Sequence, residues 1–270
     1  MDYPIIDCHC HVYPDRIADR AVESIRNFYD IDMGYDGRCS TLVREGAKYG
    51  IKHYVVFSVA TTPKQVQTIN AFIAETVKSS GGIMTGLGSL HPDSEDMAGD
   101  YEHLKSLGLR GVKLHPDFQK IAIDDERCEK IYELCRGELP VLLHTGDYRY
   151  DFSNPDRMAR ILEKYPDLTV IGAHFGGWSV WDEAVSKLCD YPNFYVDCSS
   201  TLYAVSPERG RQLVRAYGAD RVLFGTDHPM WFYEEEIKRF AALGLEDEEA
   251  KKILCKNSAK LFGIDEDKIF

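Results

Sequence analysis

The 270-residue sequence contains no Cys-x-x-Cys pair, no run of lysines and arginines, and no long apolar stretch. The last absence excludes a membrane-spanning helix, which needs about 18 or more consecutive apolar residues. Lys and Arg total 32 against 44 Asp and Glu, a net charge of −12, so a polyanionic partner such as nucleic acid is not expected. The chain does not open with a basic segment followed by an apolar one, so no secretory signal is expected and the cytoplasm is the default location. Its eight cysteines are scattered, only Cys8 and Cys10 lie close together, and reduced thiols are the expected state. No Pro/Gly/Ser-rich linker and no low-complexity tract divides the chain, which reads as a single domain over 1–270.

What the sequence has instead is a regular alternation. Eight short apolar runs, at 4–8, 52–58, 83–89, 110–115, 139–144, 168–173, 193–197 and 221–226, read as buried strands. Helical patterns lie between them over 63–79, 124–136, 154–164, 178–189 and 206–217, with two more near 233–242 and 246–262. Thr62-Pro63 supplies an N-cap and a first-turn proline for the first of these. Strands alternating with helices imply a parallel α/β sheet, either open and doubly wound or closed as a (β/α)8 TIM barrel. The strand count, in a chain near the roughly 250 residues typical of such barrels, favours the barrel.

In a barrel of this kind the active site lies at the C-terminal ends of the strands. The first run continues into Asp7-Cys8-His9-Cys10-His11, where alternation puts Asp7, His9 and His11 on one face and the two cysteines on the other. The fourth run ends Lys113-Leu114-His115, the fifth His144-Thr145-Gly146, and the sixth Ala173-His174-Phe175-Gly176-Gly177. The eighth ends Gly225-Thr226-Asp227-His228-Pro229. Six of the nine histidines therefore fall at strand ends. Any one of them alone reads as a packed or surface histidine; the set reads as a shared divalent-metal site. A zinc site built on Cys8 and Cys10 is the weaker reading, because alternation turns both thiols away and no second thiol pair is offered.

Asp-x-His-x-His, His-Thr-Gly, Ala-His-x-Gly-Gly and Gly-Thr-Asp-x-Pro, in that order, resemble the motifs of the amidohydrolase superfamily. More narrowly they resemble its amidohydrolase-2 branch, which includes aminocarboxymuconate-semialdehyde decarboxylase, and Asn257-Ser258-Ala259-Lys260-Leu261-Phe262 is similar to that branch's closing helix. The resemblance implies a barrel holding one or two divalent ions, with His9, His11, His144 and Asp227 as ligands and Zn2+ as the expected ion. It implies that Asp227 moves the proton of the attacking water, while His174 polarises the scissile bond or acts as base. Lys113 lies on the strand where some binuclear members carry a carboxylated lysine. A second ion is therefore left open, with Lys113, His115 and His174 as its contacts or as contacts to substrate. Members of this type often form homodimers.

Three neutral imidazoles leave most of an ion's charge in place, and that charge brings the pKa of a bound water towards about 7. The expected activity is hydrolysis of an amide, lactone or ester in a small polar molecule. The alternative is non-oxidative decarboxylation of an aromatic or unsaturated acid, although several decarboxylases of the branch carry a glutamate where this chain has His9. Asp7 is expected to orient a metal-bound histidine, since such rings donate their second N–H to a carboxylate or carbonyl. Tyr148, Arg149, Trp178 and His228 are the candidate substrate contacts. Arg149 either grips a substrate carboxylate or pairs with Asp151, and Trp178 and Trp181 either wall the pocket or pack at helical spacing.

Overall fold

The computed structural model describes residues 3–266 and Ile269. Its strands are β1 (Ile5–His11), β2 (Ile51–Phe57), β3 (Met84–Gly86), β4 (Gly88–Ser89), β5 (Val112–Leu114), β6 (Val141–Leu143), β7 (Val170–Gly172), β8 (Phe194–Asp197) and β9 (Val222–Leu223). Neighbours in sequence pair in parallel, β1 to β3 in one group and β4 to β9 in the other. β3 and β4 are halves of one strand that changes partner at Leu87. There Leu87 N–H donates to Val56 C=O (3.0 Å) and Gly88 N–H donates to Gly111 C=O (2.9 Å). At the other seam Cys8 N–H donates to Phe224 C=O (2.9 Å) and His11 N–H to His228 C=O (2.8 Å). These bonds carry the sheet from its last strand back to its first, as the expected (β/α)8 barrel requires.

The helices are α1 (Asp15–Tyr29), α2 (Cys39–Ala47), α3 (Val66–Ser79), α4 (Met97–Ser106), α5 (Pro116–Gln119), α6 (Glu126–Cys135), α7 (Pro155–Lys164), α8 (Trp181–Leu188), α9 (Pro207–Tyr217), α10 (Tyr233–Ala241), α11 (Asp247–Lys251) and α12 (Asn257–Phe262). Several start on the signals that the sequence offers. Asn154 and Ser206 accept from Arg157 N–H and Arg209 N–H, each ahead of a proline in the first turn. No helix among the described residues is long and apolar enough to cross a membrane.

Helices α1, α2, α4 and α5 lie outside the expected helical stretches, and α8 starts late. α1 is absent from the sequence reading because its N-cap is Pro14, which offers no side-chain acceptor to mark the start. α8 begins at Trp181 rather than 178, because Trp178 N–H is taken by Thr145 C=O (2.8 Å) and Ser179 has a left-handed φ of 70°. Trp178 therefore belongs to a loop, and its helical spacing with Trp181 does not exist.

Inside the barrel Ile6, Cys8, Val55, Phe57, Leu87, Leu142, Ile171 and Leu223 pack together, with Cys255, Ala259 and Phe262 joining them from the closing helices. Burying each aliphatic side chain of this kind contributes about 1.5–3 kcal/mol. This plug fills the barrel, so the polar strand ends stand on an apolar floor.

The first strand does not keep strict alternation. Its register with β2 shifts between Asp7 and Cys10, the mark of a bulge. Cys8 joins the barrel interior and Cys10 packs outward, while His9 and His11 both turn inward over Phe57, at ring-centroid distances of 5.1 and 4.8 Å. Asp7 consequently leaves the histidines' face. Its carboxylate accepts from Thr226 N–H (3.0 Å), Thr226 Oγ1 (2.6 Å) and Tyr233 OH (2.9 Å). The expectation that Asp7 orients a metal-bound ring is thus corrected: it ties β1 to the segment after β9 and to α10. Asp7→Ala strands those buried donors, at about 1–3 kcal/mol each. Urea unfolding should show a loss of roughly 3 kcal/mol or more; a loss below about 1 kcal/mol would remove Asp7 from this role.

Candidate metal centre

His9 occupies the middle of the cluster and is fully buried. Its Nδ1 faces Asp197 Oδ2 at 2.9 Å, which turns Nε2 towards Asp227 Oδ1 (3.3 Å) and Lys113 Nζ (3.4 Å). Burial pushes the Asp197 carboxyl up, but the charge and hydrogen bond of His9, aided by His174 and Ser199, hold it well below the usual carboxylate range. His11 Nε2 lies 3.6 Å from the same Asp227 oxygen. The other oxygen, Oδ2, accepts from Ser200 Oγ (2.5 Å), and Trp231 Nε1 donates to that hydroxyl (2.8 Å). Asp227 is thereby anchored by one oxygen and presents the other to the two imidazoles.

A second pair lies opposite. His144 Nδ1 and His174 Nε2 are 3.1 Å apart, while His174 Nδ1 faces the Ser199 carbonyl at 3.0 Å. His174 and Phe175 have φ of 60° and 52°, in the left-handed region that non-glycine residues seldom adopt. Phe175 N–H to Asp197 C=O (2.7 Å) and Trp181 Nε1 to His174 C=O (3.0 Å) hold this strained turn in place. The ring of His144 stacks on His115 at 4.1 Å, and His115 stacks in turn on Phe118 at 3.7 Å. Tyr29 OH reaches His115 Nε2 at 2.9 Å.

Burial governs the protonation of these groups. It drives His11, His115 and His144 well below the ordinary histidine value, with neighbouring cationic groups adding to the effect, and it brings His174 down to about 4. Neutral imidazoles are the form that binds metal. Burial also lowers Lys113 to about 8, against the charges of Asp197 and Asp227. His9, His11 and Asp227 can bring one ligand atom each within 4.8 Å of one another. Neutral ring nitrogens and one anchored carboxylate oxygen, crowded together in a buried site, suit a divalent first-row ion.

The narrow cavity above the cluster is lined by His11, His115, His144, His174 and Asp227 on one side. Ile25, Tyr29, Phe118, Pro229 and Met230 form the other. The structure thus gathers His9, His11, Lys113, His115, His144, His174 and Asp227 in one place. It places the four candidate substrate contacts elsewhere. Arg149 is committed to Asp147 (Nη2–Oδ2 2.6 Å) and to the Phe28 carbonyl (2.8 Å), while Asp151 pairs with Arg157. Tyr148 is 75% exposed, Trp178 meets Tyr29 edge-on at 5.4 Å behind the wall, and His228 is buried against Tyr35. The sequence reading missed Asp197, whose signal was its place at the end of the seventh run. Tyr29 and Ile25 were missed with α1.

The Amidohydro_2 family model, described as amidohydrolase, matches residues 6–264. The chain belongs to this amidohydrolase family. It is accordingly an enzyme of a metal-dependent superfamily with a TIM-barrel fold. No curated protein sequence matches it. Among solved structures, an uncharacterised TIM-barrel protein of Bordetella bronchiseptica is similar, with 24% identity and a TM-score of 0.82, over 96% of this chain and 98% of that one. A Pseudomonas putida protein provisionally described as a 2-pyrone-4,6-dicarboxylic acid hydrolase shares 22% identity and a TM-score of 0.65, over 98% and 99% of the two chains. A dihydroxybenzoic acid decarboxylase of Polaromonas sp. JS666, with bound manganese and the inhibitor 2-nitroresorcinol, shares 18% identity and a TM-score of 0.71, over 99% of both. At these identities the likeness establishes the fold.

Proposed function

We propose that this amidohydrolase hydrolyses an amide, lactone or ester bond in a small polar molecule, with His9, His11, His144 and Asp227 holding one divalent ion, zinc. Such an ion supplies Lewis acidity and lowers the pKa of a water. The protein's own residues do the rest. Ser200 keeps Asp227 Oδ2 occupied, so Oδ1 is the oxygen that accepts the water proton and passes it to the leaving group. His174, neutral above about pH 4 with its Nδ1–H given to the Ser199 carbonyl, presents the Nε2 lone pair to the cavity, where it serves as a base. Tyr29, Phe118 and Met230 exclude bulk water from the other side.

The observation that carries hydrolysis over decarboxylation is the cavity wall. No Arg or Lys among the described residues lines this cavity, and Arg149 is spent on Asp147 and a carbonyl. Lys113 Nζ is turned to His9 Nε2 (3.4 Å), and Lys120 lines only the adjoining pocket, so the cavity itself offers a substrate carboxylate no side-chain cation. Decarboxylation is the second reading, favoured by the flat apolar face of Tyr29 and Phe118, which fits an aromatic ring, and by the likeness to a decarboxylase. A panel assayed on zinc-loaded protein separates the two. Turnover of neutral lactones, esters or amides is expected; carbon dioxide release from dihydroxybenzoates without any hydrolysis would replace the first reading with the second.

A further inference from the structure

Asp117, on the short helix α5, has a fully buried side chain, and neither carboxylate oxygen has a hydrogen-bond partner among the described residues. Leaving a buried polar group unpaired is costly, and each instance calls for a cause. A neighbouring ring nitrogen supplies one. His144 Nε2, also unpartnered, lies 3.4 Å from Asp117 Oδ2. Asp147 is close enough to complete a three-residue group with them, but its oxygens are both engaged by Arg149, at 2.9 Å (Nε–Oδ1) and 2.6 Å (Nη2–Oδ2). The guanidinium thus already supplies the cation such a group needs, which argues against an ion there and leaves Asp117 to His144.

Two other imidazoles of the centre share one pattern. His9 commits Nδ1 to Asp197 and turns Nε2 inward; His174 commits Nδ1 to the Ser199 carbonyl and turns Nε2 inward. His144 runs the opposite way round, with Nδ1 facing the centre, 3.1 Å from His174 Nε2. Stacking on His115, with planes 8° apart, fixes the plane of the ring. It does not fix which edge points inward, since a half-turn about the Cβ–Cγ bond keeps the plane and exchanges Nδ1 for a carbon. An acceptor behind Nε2 decides between the two.

We propose that Asp117 is the positioning residue of His144: it takes the Nε2–H and so holds the Nδ1 lone pair towards the metal. The inference rests on the metal-centre reading above and adds a residue that no strand-end motif contains.

The test uses zinc alone as probe, by competition with a chromophoric chelator, on the full chain as wild type, Asp117→Ala, Asp117→Asn, His144→Ala and the Asp117→Ala/His144→Ala double variant. Loss of an outer-shell partner typically weakens metal binding about 10–100-fold, and that is the expected result for Asp117→Ala. Asp117→Asn, which keeps an acceptor oxygen, should lose less. Its cobalt-substituted form should retain the wild-type visible spectrum, while that of Asp117→Ala shifts. In the His144→Ala background the Asp117→Ala change should cost nothing further, because the ring it positions is gone. The metal-free melting temperature of Asp117→Ala should fall modestly, since the change strands the buried Nε2–H of His144. Wild-type zinc affinity in Asp117→Ala, or an equal loss without His144, would each overturn the proposal. If the wild type itself binds no zinc, the metal-centre reading fails and takes this inference with it.

Discussion

His11→Ala is expected to leave purification without stoichiometric metal and with turnover reduced by roughly three orders of magnitude or more, the scale of several kcal/mol of lost charge stabilisation. His11 is the informative position because it stands at the rim of the buried cluster and its ring nitrogen approaches Asp227 alone, at 3.6 Å. His9→Ala should lose the metal as well, but it also strips Asp197 of its partner. Leaving such a buried charge unpaired costs about 3–5 kcal/mol, so that variant combines a metal defect with a folding defect. Elemental analysis alongside circular dichroism separates the effects: His11→Ala keeps its melting temperature in the metal-free state, and His9→Ala does not. Full metal occupancy in both variants would remove this pair from the ligand set.

Asp227→Asn should behave differently. The histidines remain, so metal is retained, while turnover falls by about 100- to 10,000-fold, the contribution of a well-placed proton acceptor. The substitution is nearly isosteric, and an amide oxygen can still accept from Ser200 Oγ, so Trp231 and Ser200 keep their places. The decline should therefore appear in kcat with little change in KM. Undiminished turnover by the metal-loaded variant would take Asp227 out of the chemistry.

Much of this centre is legible because two simple regularities coincide: strand ends face one rim, and histidines and an aspartate cluster at those ends. That is enough to find His9, His11, His144, His174 and Asp227. Where the regularities stop, so does the reading. Period-two alternation keeps Asp7 beside His9, and the bulge in β1 turns it away. Arg149 has acidic neighbours at both 147 and 151, and only the loop's curl, with Asp147 at a φ of 86°, decides for the nearer one. Asp117 and Ser200 act through contacts spanning 27 residues or across strands, which leave no local pattern. α1 carries Ile25 and Tyr29 into the cavity without any start signal.

The seam between β1 and the segment after β9 also sets a schedule. His9 and His11 are translated 218 and 216 residues ahead of Asp227, the aspartate that completes their group. At about 5–20 residues per second on the ribosome, the histidines wait roughly ten to forty seconds for it. Contacts between such distant parts of a chain also form slowly once both are available. A nascent chain that has not yet reached Asp227 carries these imidazoles without the carboxylate that completes their group.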